Sequence, residues 1–414
     1  MKSYIRALIC RVCEEPYRIF FPLGISFGII GVGHWFSFTH GWGRSYSGWY
    51  HSSIQMQAYM ASIVSGFLMT MIPRQSLTPH ATCREVLSFL LLAIGVLVFN
   101  SLGIWAGGEI CFALWLAGFL FFVIRRFRIR KAKAKPPVEF IWIPMAMAHG
   151  IIGSILLALT QLHILSPWFL KVGKPMVDQG FILSIVLGVG SFLSSRLMGL
   201  QKLIKVVDSD SEKKALESRQ VRSFVNLISG LILFLTFWTE GFGFVRAGYL
   251  ARAFVVTSIL FLNRAWPRPP RTKEFFVKLI WISMWMVVCG YWATVIFWSY
   301  RIDMLHIVFI GGYSLMTFAV GTMVVLSHAG EAAKLHKRLI VLWIVVLGIL
   351  GAVGHRVSSA FFPETYVSLI GSAAGFWLLA GICWLSFILP KVLRVSGSEE
   401  SESCKSDTRK RISD

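Results

Sequence analysis

Ten histidines are the residues of this sequence best suited to chemistry. Imidazole is the usual axial ligand of haem iron, and it also suits copper. Most of the ten fall close to long apolar runs. If those runs are helices threading a bilayer, His34, His40, His51, His163, His306 and His355 collect near one set of helix ends. His80, His328 and His336 fall at the opposite ends, and His149 lies about ten residues into its helix. A layer of six imidazoles fits a haem or metal site. The plainer reading is that interfacial histidines are simply satisfied by water and headgroups.

Two stretches repeat one arrangement. In the first, His51 opens a run, Gln55 follows at i+4 on the same face, and Gly66 then admits a close neighbour or a flat cofactor before Pro73-Arg74. In the second, His306 is followed by Gly311-Gly312, then Met316-Thr317, and the run closes at Ser327-His328-Ala329-Gly330. Two such helices, facing each other, could grip one iron from opposite sides. His328 lies 22 residues beyond His306, roughly 33 Å along a helix, so it cannot share that metal and is assigned a structural role at the other surface. His149 shares a face with Met145, but a core histidine bonded to a serine or a carbonyl outweighs a soft-metal path.

Other chemistry is sparse. Cys10 and Cys13 form a lone C-x-x-C with no second pair to complete a site, and the scatter of the remaining cysteines argues against a disulfide framework. Among the acids, Glu109, Glu240 and Glu364 are expected at helix ends, with Asp178 opening a helix. A shortage of mid-membrane carboxylates counts against a proton-coupled transporter, the main alternative for a chain of this kind.

The elements that must position these groups follow from composition. The chain is 56% hydrophobic and 15% charged, well below the roughly one-quarter charged residues of soluble domains. Apolar runs of about 20 residues indicate membrane-spanning helices. Twelve lie near 19–38, 52–72, 86–105, 108–125, 139–164, 178–199, 222–239, 243–263, 274–299, 304–327, 338–354 and 364–390. The third and fourth are divided by a turn placed around Ala106–Glu109. The net charge of +21 does not mark nucleic-acid binding, because the Lys and Arg residues sit in short stretches between apolar runs. With an internal N-terminus, 34 of the 41 Lys and Arg fall on the inner side and 5 on the outer, a strong positive-inside signal for twelve spans with both termini cytoplasmic. The expected organisation is a cytoplasmic segment 1–18, an all-α bundle over 19–394, and a disordered Ser-rich tail 395–414. A charged loop over 205–219 separates two six-helix halves.

Motifs at these places resemble the NnrS family of bacterial inner-membrane proteins, along nearly the whole chain. Pro16-Tyr-Arg18-Ile-Phe20-Phe21-Pro22 looks like the family's opening motif. His51 with Gly66–Pro73 looks like its second-helix motif, Gln179–Ser191 like its sixth helix, and His306 through Gly330 like its late His-to-Gly-His-x-Gly stretch. There are departures. Ser53 and Ile54 stand where many members carry a second His and a Glu, and Met323, Ser327 and Glu331 replace residues of the late motif. The resemblance implies a multi-pass protein binding haem b, with copper as a further candidate, that acts in nitric oxide response or denitrification. Its partners would be nitric oxide, an electron donor and the bilayer, not nucleic acid. His51, His306, Gln55, Gly66, Gly311 and Gly312 would form the cofactor site, and His34, His355 and His328 would be further metal-ligand candidates. A more distant similarity, to the main subunits of haem–copper oxidases and nitric oxide reductases, rests on histidines of helices two and ten. The second-metal histidines of those enzymes are missing here, which argues against turnover by their mechanism. The competing readings are a secondary transporter and a redox subunit.

Overall fold

The computed structural model describes residues 9–133, 135–199, 209–263 and 268–394, with the backbone alone for 209–216. Among these residues there is no strand, and twelve helices are long and apolar enough to cross a membrane. They are α1 (Tyr17–Thr39), α2 (Gly48–Ser76), α3 (Cys83–Ser101), α4 (Trp105–Arg128), α5 (Val138–Gln161), α6 (Pro167–Leu197), α7 (Glu217–Gly241), α8 (Val245–Leu262), α9 (Phe275–Ile296), α10 (Trp298–His328), α11 (Ile340–Ser358) and α12 (Pro363–Val392). Helix is the form these runs must take, because hydrocarbon offers no partner to a free N–H or C=O. The expected tail 395–414, with Cys404, lies outside the described residues.

Several boundaries differ from the sequence expectation. The turn between α3 and α4 is Leu102–Ile104, built on Gly103 in the left-handed region (φ 72°). Glu109 is therefore a full turn inside α4 and 1% exposed, not at a helix end. Helix α6 begins at Pro167, so Asp178 lies well within it. The charged stretch expected as a loop is helical from Ser209 onward. For Glu109 and Asp178 the apolar run is interrupted by a single polar residue that the helix carries inside it, so a hydropathy break is not a helix break.

Three helices carry wider i→i+5 turns: α2 over Ile54–Met60, α6 over Met176–Gly180 and Val186–Gly190, and α10 over Ile307–Ser314. Such π turns recur at functional sites, because the extra residue redirects the side chains beyond it. In α2 and α10 they begin just after His51 and His306.

The two ends of the described chain meet on one face. There Glu15 joins Arg18 (2.6 Å) to Arg74 (2.7 Å), and Arg18 donates to the Val392 carbonyl at the end of α12 (3.0 Å). Burial opposes ionisation of Glu15, but these two arginines outweigh it and hold its carboxyl below the ordinary value. His328 also lies here, stacked on Tyr17 (5.1 Å) and beside Arg74. Cys13 and Cys83 are bonded as a disulfide that ties the N-terminal segment to the start of α3. The expected isolation of the cysteines is thus corrected for this pair, since residues 70 apart in sequence are brought together by the fold.

Gly66 sits where α2 crosses α1. A Cβ added there would lie 2.8 Å from the Cβ of Phe20 and 3.1 Å from the Cα of Tyr17. Gly311 and Gly312 likewise meet Met286 and Val287 of α9. All three glycines are therefore points of helix contact, not a bed for a cofactor. Gly66→Leu should overpack the α1–α2 crossing and cost about 1–3 kcal/mol. A lower thermal-unfolding midpoint in detergent, with unchanged ligand content in the folded fraction, is the expected result.

Candidate functional site

A cavity of roughly 410 Å³ opens near the face opposite the chain ends, between α1, α2, α6, α10 and α12. His51 and His306 both line it. The wide turns of α2 put His51, Gln55, Met56 and Met60 on one wall; those of α10 put Leu305, His306, Phe309, Ile310 and Ser314 on another. Trp35 and Trp377 add aromatic surface.

The two imidazoles are held in the same manner. Nδ1 of His51 lies 2.9 Å from the Gly31 carbonyl, and Nδ1 of His306 lies 2.7 Å from the Ile302 carbonyl. A carbonyl only accepts, so each Nδ1 carries the hydrogen, and each Nε2 keeps its lone pair. No described residue hydrogen-bonds either Nε2. A fixed outer hydrogen bond with a free opposite nitrogen is the arrangement of a metal-ligating histidine. Gln55 donates from Nε2 to the Gly28 carbonyl (2.9 Å), which fixes the amide at the cavity edge and leaves its oxygen free to accept.

The other candidates are placed elsewhere. His34 spends its Nε2 lone pair on the Ser47 N–H (3.0 Å). His355 bonds the Gly351 carbonyl (2.9 Å), packs on Phe376, and lies outside the cavity lining. His328 is at the far surface. Gly66, Gly311 and Gly312 also line no part of this cavity. His149 is buried in α5, with Nδ1 2.8 Å from the Met145 carbonyl and 3.3 Å from Ser184 Oγ; its Nε2 is also without a partner, but it lies outside this cavity. Among the described residues no group of three or more His, Cys, Asp or Glu is arranged to hold a metal ion.

Charges surround the cavity in a pattern that hydropathy conceals. Lys174, Arg301 and Arg356 line it together with Asp178 and Glu240. Lys174 pairs with Asp178 (2.9 Å), Arg356 with Asp303, and Arg301 lies over Trp298 (5.0 Å). Burial pushes the phenol of Tyr46, in the loop that roofs the site, above its ordinary value.

Behind the wall stands Arg252 of α8, fully buried. It donates to Gln179 Oε1 (2.9 Å), Thr236 Oγ1 (3.0 Å) and Glu240, and it lies between the rings of Phe237 and Tyr249 at 4.4 Å each. Gln179, Glu240 and Tyr249 are themselves cavity-lining, so this cation orients one whole wall. In the sequence, a charged residue inside a span implies a buried partner, and the nearest acid to Arg252 is Glu240, one turn-and-return away. Arg252→Met leaves Glu240 without its buried cation. The expected cost is about 3–5 kcal/mol, seen as loss of folded, monodisperse protein, with recovery when Glu240→Gln is added.

These placements correct one argument from sequence. Glu109 is buried inside α4, so a lack of internal carboxyls no longer counts against transport; Glu240, which pairs with the buried Arg252, lies at the end of α7 as expected.

No curated protein matches the chain. The family model described as NnrS protein matches residues 11–395. With nearly all of α1–α12 inside that match, the chain belongs to the NnrS family.

Proposed function

We propose that the chain is a haem-binding membrane protein of nitric oxide response, with His51 and His306 as the haem ligands. The observation that carries this reading is the pair of backbone-anchored imidazoles offering free Nε2 lone pairs to one cavity. The cavity falls within the roughly 300–1,000 Å³ typical of ligand pockets and has the aromatic walls such pockets favour. Lys174, Arg301 and Arg356 are suited to face the propionates, each as a cation at the wet end of an otherwise apolar slot. The group is taken to be haem b, because no thiol lines the cavity to attach it covalently.

A porphyrin brings four nitrogen ligands of its own, so two protein histidines are enough. Copper asks more of the protein, and the described residues bring no third His, Cys, Asp or Glu to this pair. The donor set thus fits haem and does not fit a separate copper site. When bound, the haem would supply an iron able to pass an electron, or to take a diatomic gas in place of one imidazole. This chain's own residues orient the imidazoles, neutralise the carboxylates and exclude bulk water.

On this reading the basic face is cytoplasmic and the cavity lies toward the external side of a bacterial inner membrane, as the Lys and Arg distribution favours. The electron donor and nitric oxide itself would be its partners.

The test is the absorption spectrum of purified protein reconstituted with haem. A Soret band that shifts on adding nitric oxide is expected. His51→Ala and His306→Ala should each reduce haem affinity at least as much as loss of an outer partner does, about 10–100-fold, or move the band. His34→Ala and His355→Ala should leave it unchanged. Wild-type spectra in both His51→Ala and His306→Ala would remove these residues from the site.

A further inference from the structure

Glu109 is a carboxyl that the haem reading does not use. It lies inside α4 and faces α2, α5 and α6. Its Oε1 accepts from Gln57 Nε2 at 2.9 Å, and no cation is bonded to it. Its Oε2 is buried and has no hydrogen-bond partner. Beside it Gln57 Oε1 is also buried and unpartnered, and the buried Ser154 hydroxyl lies near enough to donate to the carboxyl. The groups bonded to or facing Glu109 from α2 and α5 are uncharged, so nothing in contact with it compensates an ionised carboxylate. An acceptor buried without a partner costs about 1–3 kcal/mol. A bare carboxylate in the same place costs several kcal/mol.

We propose that Glu109 is a proton-binding site, carrying an exchangeable proton that communicates with the cavity through Lys174 and Asp178. A protonated carboxyl supplies an O–H donor on Oε2, which fills an acceptor on Ser154 or Gln57 and removes the buried charge. Lys174 and Asp178 are the charged groups near enough to act on Glu109, both from α6. The facing residues of α2 and α5, Gln57 and Ser154, are uncharged. Lys174 also rests on the ring of Trp49, 4.9 Å from its centroid, so α6 bridges the polar pocket behind α2 and the cavity in front of it.

The donor set favours a proton over a metal. One carboxylate with an amide and a hydroxyl oxygen is too weakly charged to strip a divalent cation of its water. The transfer is balanced within the protein and its solvent. The Glu109 O–H bond breaks, the proton passes to the Asp178 carboxylate or to a cavity water, and the reverse step restores it. No oxidant or reductant is required. A membrane-buried carboxyl next to the proposed haem cavity would give that site a local proton, and this consequence alone rests on the haem reading.

Infrared difference spectroscopy of the full-length protein in lipid tests the site without any haem. A protonated-carboxyl C=O band is expected at neutral pH, moving in D2O and missing in Glu109→Gln, which keeps an acceptor for Gln57. Raising the pH should remove the band, and in Lys174→Met it should persist to higher pH, because a cation favouring the carboxylate is gone. No such band in the wild type, a band unmoved by D2O, or a band retained in Glu109→Gln overturns the proposal. Should Glu109→Gln fail to fold, the wild-type band and its shift in Lys174→Met decide it. A missing Soret band with the infrared band intact refutes the haem reading alone.

Discussion

A histidine offers a lone pair to a ligand only if its other nitrogen has somewhere to put its hydrogen. In this bundle the backbone provides that place. His51 is anchored by the Gly31 carbonyl of α1 and His306 by the Ile302 carbonyl one turn earlier in its own helix. The α1 anchor requires α1 and α2 to approach closely beside His51, which Gly31 allows; a Cβ on Gly31 would meet the Gln55 amide at 2.6 Å. The tautomer of His51, and with it the chemistry of the cavity, thus depends on how α1 packs against α2. Replacing Gly31 would act on the imidazole without touching it.

The second constraint is electrostatic. A bundle sealed from water tolerates charge only in pairs. Arg252 is paired with Glu240, Lys174 with Asp178, and Arg356 with Asp303. Each pair has at least one member on the cavity wall, so the charges are stabilised by partners yet remain available to a guest. Arg301 lies instead on an indole face, leaving its guanidinium hydrogens uncommitted to any carboxylate. An anionic group entering the cavity would meet cations whose desolvation is already offset.

Much of this was legible beforehand, because membrane spans announce themselves by length and apolarity, and the alternating Lys and Arg content orders them. The twelve helices were therefore expected, as was the meeting of the two ends of the described chain on one face. What misled was polarity inside helices. Glu109 and Asp178 read as boundary residues, since a charge in an apolar run normally marks its end; the fold instead carries both inside helices, Glu109 buried in α4 and Asp178 half-buried on the cavity wall of α6. The glycines misled for a related reason. Gly66, Gly311 and Gly312 leave gaps that a cofactor or a neighbouring helix can fill, and spacing along one chain cannot say which. The π turns after His51 and His306 had no sequence signature, yet they set which residues share the cavity. Cys13 and Cys83 are separated by two helices, so their pairing is a property of topology.

The similar construction of α2 and α10 bears on why two distant segments converge. In each, a histidine near one end of the helix is followed at once by a widened turn. An α-helix places i+4 on nearly the same face, whereas the extra residue of a π turn rotates everything beyond it. The effect is to hold the histidine and the next turn toward the cavity while the lower half of the helix is turned to its packing neighbours, Phe20 and Phe21 for α2 and Trp377 and Trp384 for α10. A straight helix would have to choose between a packed lower half and a cavity-facing upper half. The widened turn removes that conflict, and it does so on both helices that carry the anchored imidazoles.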